Sequence, residues 1–83
     1  MDTTLSTDTF FMKRALELSQ SAADYGEVPV GAVIVYDGEI VGEGYNQPIS
    51  SCDPTAHAEV VAMRQACATL NNYRLTGCEL YVT

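Results

Sequence analysis

Basic residues are few in this 83-residue chain: four, against eleven acidic ones. Lys13-Arg14, Arg64 and Arg74 are scattered rather than clustered. A nucleic-acid binder usually carries a basic patch. With a net charge of −7, this segment alone should repel a polyanion. Apolar runs are also short, and none approaches the ~18 residues of a transmembrane span. The N-terminus, Met1-Asp2-Thr3-Thr4-Leu5, lacks the basic region and apolar core of a secretory signal. Cysteine is sparse, and Cys52, Cys67 and Cys78 are an odd set at wide spacing. That excludes a disulfide framework and fits a reducing compartment. A cytoplasmic protein with no membrane partner is the expectation.

What is present suits one globular domain, since 47% of residues are hydrophobic and 18% charged. A chain this short buries only a little over ~60% of its unfolded surface. Residues 1–8 are polar and expected to be disordered. A helix is predicted from about Thr9 to Asp24, capped by Thr7 or Asp8. Phe11, Ala15, Leu18 and Ala22 recur at helical spacing as its apolar stripe, with Phe10, Met12 and Leu16 widening it. Gly26 can end it in the left-handed region.

Val28 to Tyr36 is short, β-branched and apolar nearly throughout, which predicts a strand covered on both faces, with Pro29 at its start. Asp37-Gly38 is a two-residue hairpin turn, and Glu39 to Tyr45 is the return strand. Gly42 and Gly44 share one parity there. They either let a backbone or ligand come close or mark a bulge. Asn46 to Cys52 reads as a loop in which Asn46 could hold an Asx turn or offer its amide to a base edge. A second helix is predicted from Pro54 to about Leu70, capped by Asp53, with Ala56, Val60, Met63, Cys67 and Leu70 buried. Asn71-Asn72 stops it, and Cys78 to Thr83 alternates as a third strand. The order is α-β-β-α-β. Two helices on three strands leave an edge or face poorly covered, so residues 1–83 are expected to be the N-terminal part of a larger single domain.

The one histidine lies in Asp53-Pro54-Thr55-Ala56-His57-Ala58-Glu59. Neutral imidazole binds zinc, and a nearby carboxylate can move protons on an activated water. His-x-Glu alone is weak, since average composition produces it in about one chain in ten of this length. A lone histidine beside an apolar stripe is more often a hydrogen-bonded structural residue. Inside a helix, His57 and Glu59 would stand about 200° apart. They serve one site only if the helix N-terminus points into it, where the dipole favours a bound anion. The chain contains no Cys-x-x-Cys to supply thiolate ligands.

Five blocks widen the signal: Glu27-Val28-Pro29-Val30-Gly31-Ala32-Val33, Gly42-Glu43-Gly44-Tyr45-Asn46, Asp53 to Glu59, Asn72-Tyr73-Arg74-Leu75 and Leu80-Tyr81-Val82-Thr83. As a collinear set from about Thr9 to Thr83 they resemble the bacterial tRNA-specific adenosine deaminases of the TadA type, in the cytidine/deoxycytidylate deaminase superfamily. The resemblance implies a cytidine-deaminase-like three-layer α/β/α fold, here its α-β-β-α-β portion. It implies one Zn2+ held by His57 and by two cysteines of a Pro-Cys-x-x-Cys motif expected beyond Thr83, with Glu59 as the proton shuttle. It implies that Asn46, Val30 and Ala58 contact the base, Ala58 through its N–H as well. The family reaction is hydrolytic deamination of adenosine to inosine at the wobble position of a tRNA anticodon loop, by a homodimer. On this reading the 83 residues alone are inactive. Ser50-Ser51-Cys52 stands where the family is often basic, and Cys52 with His57 gives two ligands where zinc needs three or four. Two other readings stay open: a deaminase of free cytosine, guanine or nucleosides, and a metal-free interaction module.

Overall fold

The computed structural model describes residues 3–83, and their side chains from Thr7 onward. Its order is α1 (Thr3–Asp24), β1 (Gly31–Tyr36), β2 (Glu39–Tyr45), α2 (Ala58–Leu70) and β3 (Glu79–Val82). The strands form one antiparallel sheet in the order β2-β1-β3. Residues of α1 pack with Val33 and Val35, and those of α2 with Ala32 and Ile34. Alternate β1 residues point to opposite faces, so the helices cover opposite faces. This is the α/β/α layering expected from the sequence.

The first helix starts at Thr3, earlier than the predicted Thr9, and Thr7 and Asp8 lie inside it rather than capping it. The expected disorder therefore does not extend over Thr3–Asp8; Met1 and Asp2 lie outside the described residues. Tertiary contacts support the early turns. The Tyr81 hydroxyl donates to Asp8 Oδ1 at 2.7 Å, and the Phe11 and Tyr81 rings lie 5.3 Å apart. Phe11, Ala15, Leu18 and Ala22 are all buried, as expected. Phe10, Met12 and Leu16 are exposed instead of widening the stripe. Each lies about 100° from its buried sequence neighbour, past the edge of the sheet contact. Gly26 at φ 75° closes the helix, with Gly26 N–H donating to Ala23 O and Glu27 N–H to Ala22 O.

Ala32 to Val35 are all buried, consistent with a central strand. The strand begins at Gly31 rather than Val28. Val30 N–H turns back to Val28 O, while Val30 O accepts from Asn46 N–H. Asp37 and Gly38 both have positive φ, 52° and 80°, as a type I′ turn requires. On β2, Val41 is the extra residue of a bulge, because Ile34 pairs with Gly42 and Val35 with Ile40. Arg14 reaches β2 from α1 through two hydrogen bonds to Glu43, at 2.6 and 3.0 Å. That hydrogen bonding holds the Glu43 carboxyl below its ordinary pKa.

The second helix buries a different stripe from the one predicted. Ala58, Ala62 and Ala66 are fully buried, with Ala56 just ahead of the helix, whereas Val60, Met63, Cys67 and Leu70 are half-buried. Side-chain size decides this. A Cβ at Gly42 would overlap the Ala62 carbonyl oxygen, and one at Gly44 the Ala58 carbonyl oxygen. Alanines facing glycines bring the backbone of α2 directly onto β2. Both readings of the glycines therefore hold: close backbone approach, and a bulge next to Gly42. Asn71 (φ 52°) ends α2, with Asn72 N–H bonded to Cys67 O. Gly44→Ala is expected to cost about 3 kcal/mol or more in urea unfolding. Gly38→Ala, where a Cβ meets open space, should cost only about 1 kcal/mol, from its positive φ.

Candidate functional site

The hairpin returns β2 to the start of α2, and three hydrogen bonds fix this corner. Asn46 N–H donates to Val30 O at 3.0 Å, Gln47 N–H to Ala56 O at 2.9 Å, and Ala58 N–H to Asn46 Oδ1 at 2.8 Å. Asn46 is buried, and its carboxamide oxygen occupies one of the N–H groups that a helix N-terminus leaves unpaired. Ala58 N–H is thus engaged by Asn46. The Asn46 amide nitrogen makes no hydrogen bond among the described residues. Val30 is half-buried and packs against the cluster of Ala32, Ala58 and Ala62.

His57 is the N-cap residue of α2, with extended backbone (φ −77°, ψ 154°) and no side-chain capping bond. Glu59 is the acidic residue of the first turn. The predicted start at Pro54 moves to Ala58 because the preceding segment is held in turns. Asp53 accepts from Thr55 N–H at 2.9 Å and from Thr55 Oγ1 at 2.7 Å, forming an Asx turn rather than a helix cap. These bonds from Thr55, with a weaker contribution from Arg64, hold the Asp53 carboxyl below its ordinary pKa. Because His57 lies outside the helical turns, the angular separation it would have from Glu59 inside a helix does not apply. Both side chains leave from the end where the macrodipole is positive.

Glu27 is the residue of this region to which the sequence assigns no role, although it opens the first of the five blocks. It is 6% exposed, beside the entry to β1. Its two carboxylate oxygens accept from the loop after β2: Oε2 from Ser50 N–H at 2.6 Å, and Oε1 from Ile49 N–H at 3.3 Å. Desolvation works against the charge, but the bonds from Ser50 and Ile49 together outweigh it and leave the pKa lowered. One signal in the sequence does point to it: an acid just past a helix-ending glycine, ahead of an apolar strand.

Imidazole is a suitable zinc ligand, but three or four ligands are the norm. Among the described residues no three His, Cys, Asp or Glu side chains come together to hold a metal. Cys52, Cys67 and Cys78 are free thiols, and Cys52 with His57 completes no site. Among the described residues no helix is long and apolar enough to cross a membrane.

The pattern of the cytidine and deoxycytidylate deaminase zinc-binding region matches residues 5–83. The chain belongs to that family. It is 51% identical over 74 residues to a tRNA-specific adenosine deaminase of Aquifex aeolicus, covering 89% of this chain and 49% of the relative. It is 50% identical over 74 residues to a guanine deaminase of Bacillus subtilis, covering 88% and 47%. A structure solved in a study of A-to-I editing by tRNA deaminases at the wobble position superposes with a TM-score of 0.88 at 45% identity, covering 90% of this chain and 54% of that one. The Bacillus subtilis guanine deaminase structure gives 0.84 at 49% identity, covering 89% and 48%. The chain spans about half the length of the curated relatives it matches.

Two outcomes are expected. Asn46→Ala, which strips the acceptor from a buried N–H, should lower stability by about 1–3 kcal/mol in urea unfolding, whereas Asn46→Asp should stay close to wild type. The second concerns pH. A carboxyl whose folded pKa lies below its unfolded value near 4.5 contributes stability above that pH and loses it as the pH falls through the folded pKa. In acid titrations of thermal stability, Glu27→Gln should flatten the loss below about pH 4.5.

Proposed function

We propose that this chain contributes the base-binding and proton-transfer half of a deaminase that converts adenosine to inosine at the wobble position of tRNA. The observation that carries the reading is the hydrogen bond between Ala58 N–H and Asn46 Oδ1. It draws Asn46 to the helix end that bears His57 and Glu59. With its oxygen turned to Ala58 N–H, Asn46 offers its amide N–H groups, and these suit an acceptor nitrogen of a purine ring. Half-buried Val30 walls the base, and Ala58, buried with its N–H on Asn46, backs the same corner. Glu59 takes one proton of the attacking water and delivers it to the ring nitrogen next to the reacting carbon; it then takes the remaining proton from the added hydroxyl and passes it to the amine, so that ammonia leaves as the carbonyl forms. The positive helix end favours the anionic character that develops there. His57 is the imidazole ligand of a zinc site whose other ligands come from outside this chain. Zinc, when bound, lowers the pKa of water to about 7. A homodimer in the cytoplasm goes with this reading.

The second reading is deamination of a free base such as guanine. The net charge of −7 favours it, as does 50% identity to a guanine deaminase. The Asn72-Tyr73-Arg74-Leu75 and Ala56-His57-Ala58-Glu59 blocks favour tRNA. The test uses this chain alone and an extended enzyme, in which the C-terminal half of the Aquifex aeolicus relative follows Thr83. The extended enzyme is expected to form inosine in an anticodon stem-loop, and the chain alone to form none. Glu59→Gln should lower turnover by about 10²–10⁴-fold with zinc retained. Turnover of guanine without inosine formation would overturn the tRNA reading in favour of the second.

A further inference from the structure

Glu27 is a buried charged group that the reaction above does not use. It sits at the joint between α1 and the segment Val28-Pro29-Val30, and Val30 in turn holds Asn46 through its carbonyl. Its carboxylate reaches across to the loop between β2 and α2 and binds two consecutive N–H groups, one on each oxygen. That loop is otherwise tied to itself and, at its far end, to α2 through the Asp53–Arg64 ion pair at 3.4 Å. Ser51 N–H donates to Gln47 O, Cys52 N–H to Ile49 O and Asp53 N–H to Pro48 O. Gln47 N–H to Ala56 O links it to the approach of α2. Val28 and Ile49 are both strongly exposed, at 66% and 76%, and each adjoins one end of the Glu27 link.

From this geometry we infer that Glu27 is a positioning residue for substrate binding. It fastens the Gln47–Asp53 loop to the Val28–Val30 segment, so that the two rims on either side of Asn46 form one rigid mouth. The inference rests on the proposed deaminase reading for its substrate, though not for its geometry. A full carboxylate is needed, because two N–H donors face two oxygens. In a Glu27→Gln variant the side-chain amide would set an NH2 group against one of those donors and leave that N–H unpaired. The loop would then swing relative to Asn46 while Glu59, on α2, and His57, whose carbonyl accepts from Val61 N–H at 2.9 Å, stayed in place. The loss therefore falls on binding rather than on turnover.

The test measures steady-state kinetics of the extended enzyme on an anticodon stem-loop. Glu27→Gln is expected to raise KM about tenfold and to leave kcat within about threefold. Glu27→Asp, which keeps both oxygens, should recover part of the loss. Arg14→Gln removes an ion pair between α1 and β2 that lies outside the mouth, so it is the control for general destabilisation and should leave KM unchanged. An unchanged KM in Glu27→Gln, or an equal rise in Arg14→Gln, overturns the inference. If the extended wild type turns over guanine and not RNA, the substrate reading fails and the same KM split is read on guanine. If it turns over neither, amide hydrogen exchange of Ile49 and Ser50 in this chain decides. Exchange accelerated about tenfold in Glu27→Gln supports the link, and unchanged exchange overturns it.

Discussion

The close seat of α2 on the sheet is the constraint from which the rest follows. Three alanines on one side of the helix meet Gly42 and Gly44 on β2, and any side chain at either glycine would strike helix backbone. Little apolar area is buried per residue at such a contact. What it provides is position: the first turn of α2 lies beside the last residue of β2. Only at that distance can Asn46 accept from Ala58 N–H and complete a helix end that has no side-chain cap of its own. The bond satisfies a buried donor and a buried acceptor together, and unpaired groups at such a place are costly.

The two faces of the sheet use different means. On the α1 side, bulky groups interdigitate: Phe11 and Leu18 against Val33 and Val35, with Tyr81 beside them. The α2 side is shallow and close-packed, and it carries the residues of the candidate site. Gly31 brings the backbone of α1 close in the same way near the start of β1, so the segment leading into the strand is confined from both faces. Glu27, Val30 and Asn46 all attach to that segment, which ties the mouth of the site to the rigid centre of the sheet.

Much of this is legible in the residues. Asp37-Gly38 specifies its turn because few residue pairs tolerate two positive φ angles. The stripe through Phe11, Ala15, Leu18 and Ala22 specifies the buried side of α1 because period and size agree. In the second helix they disagree. Val60, Met63, Cys67 and Leu70 are larger and more apolar than alanine, yet alanine faces the sheet because only a small side chain fits against glycine. The start of α2 is obscured because Asp53-Pro54 is a good helix opening locally, while the Asx turn at Thr55 and the bond from Asn46 move the start to Ala58. For Glu27 the sequence shows only its place after a helix-ending glycine; its partners are backbone N–H groups more than twenty positions away, which create no pattern in side-chain identity. His57 and Glu59 are recognisable from the sequence as a pair. Their relation to Asn46 requires the fold.

The proposed chemistry stands or falls on His57, outside the helical turns of α2, being a metal ligand and not a structural histidine. X-ray absorption at the zinc edge reads this out most directly, using the extended enzyme and its His57→Ala variant. The spectrum of the wild type is expected to contain the multiple-scattering signature of one imidazole alongside sulfur, and the variant should lose the imidazole contribution. A zinc shell without imidazole in the wild type, or one unchanged in the variant, would contradict that role.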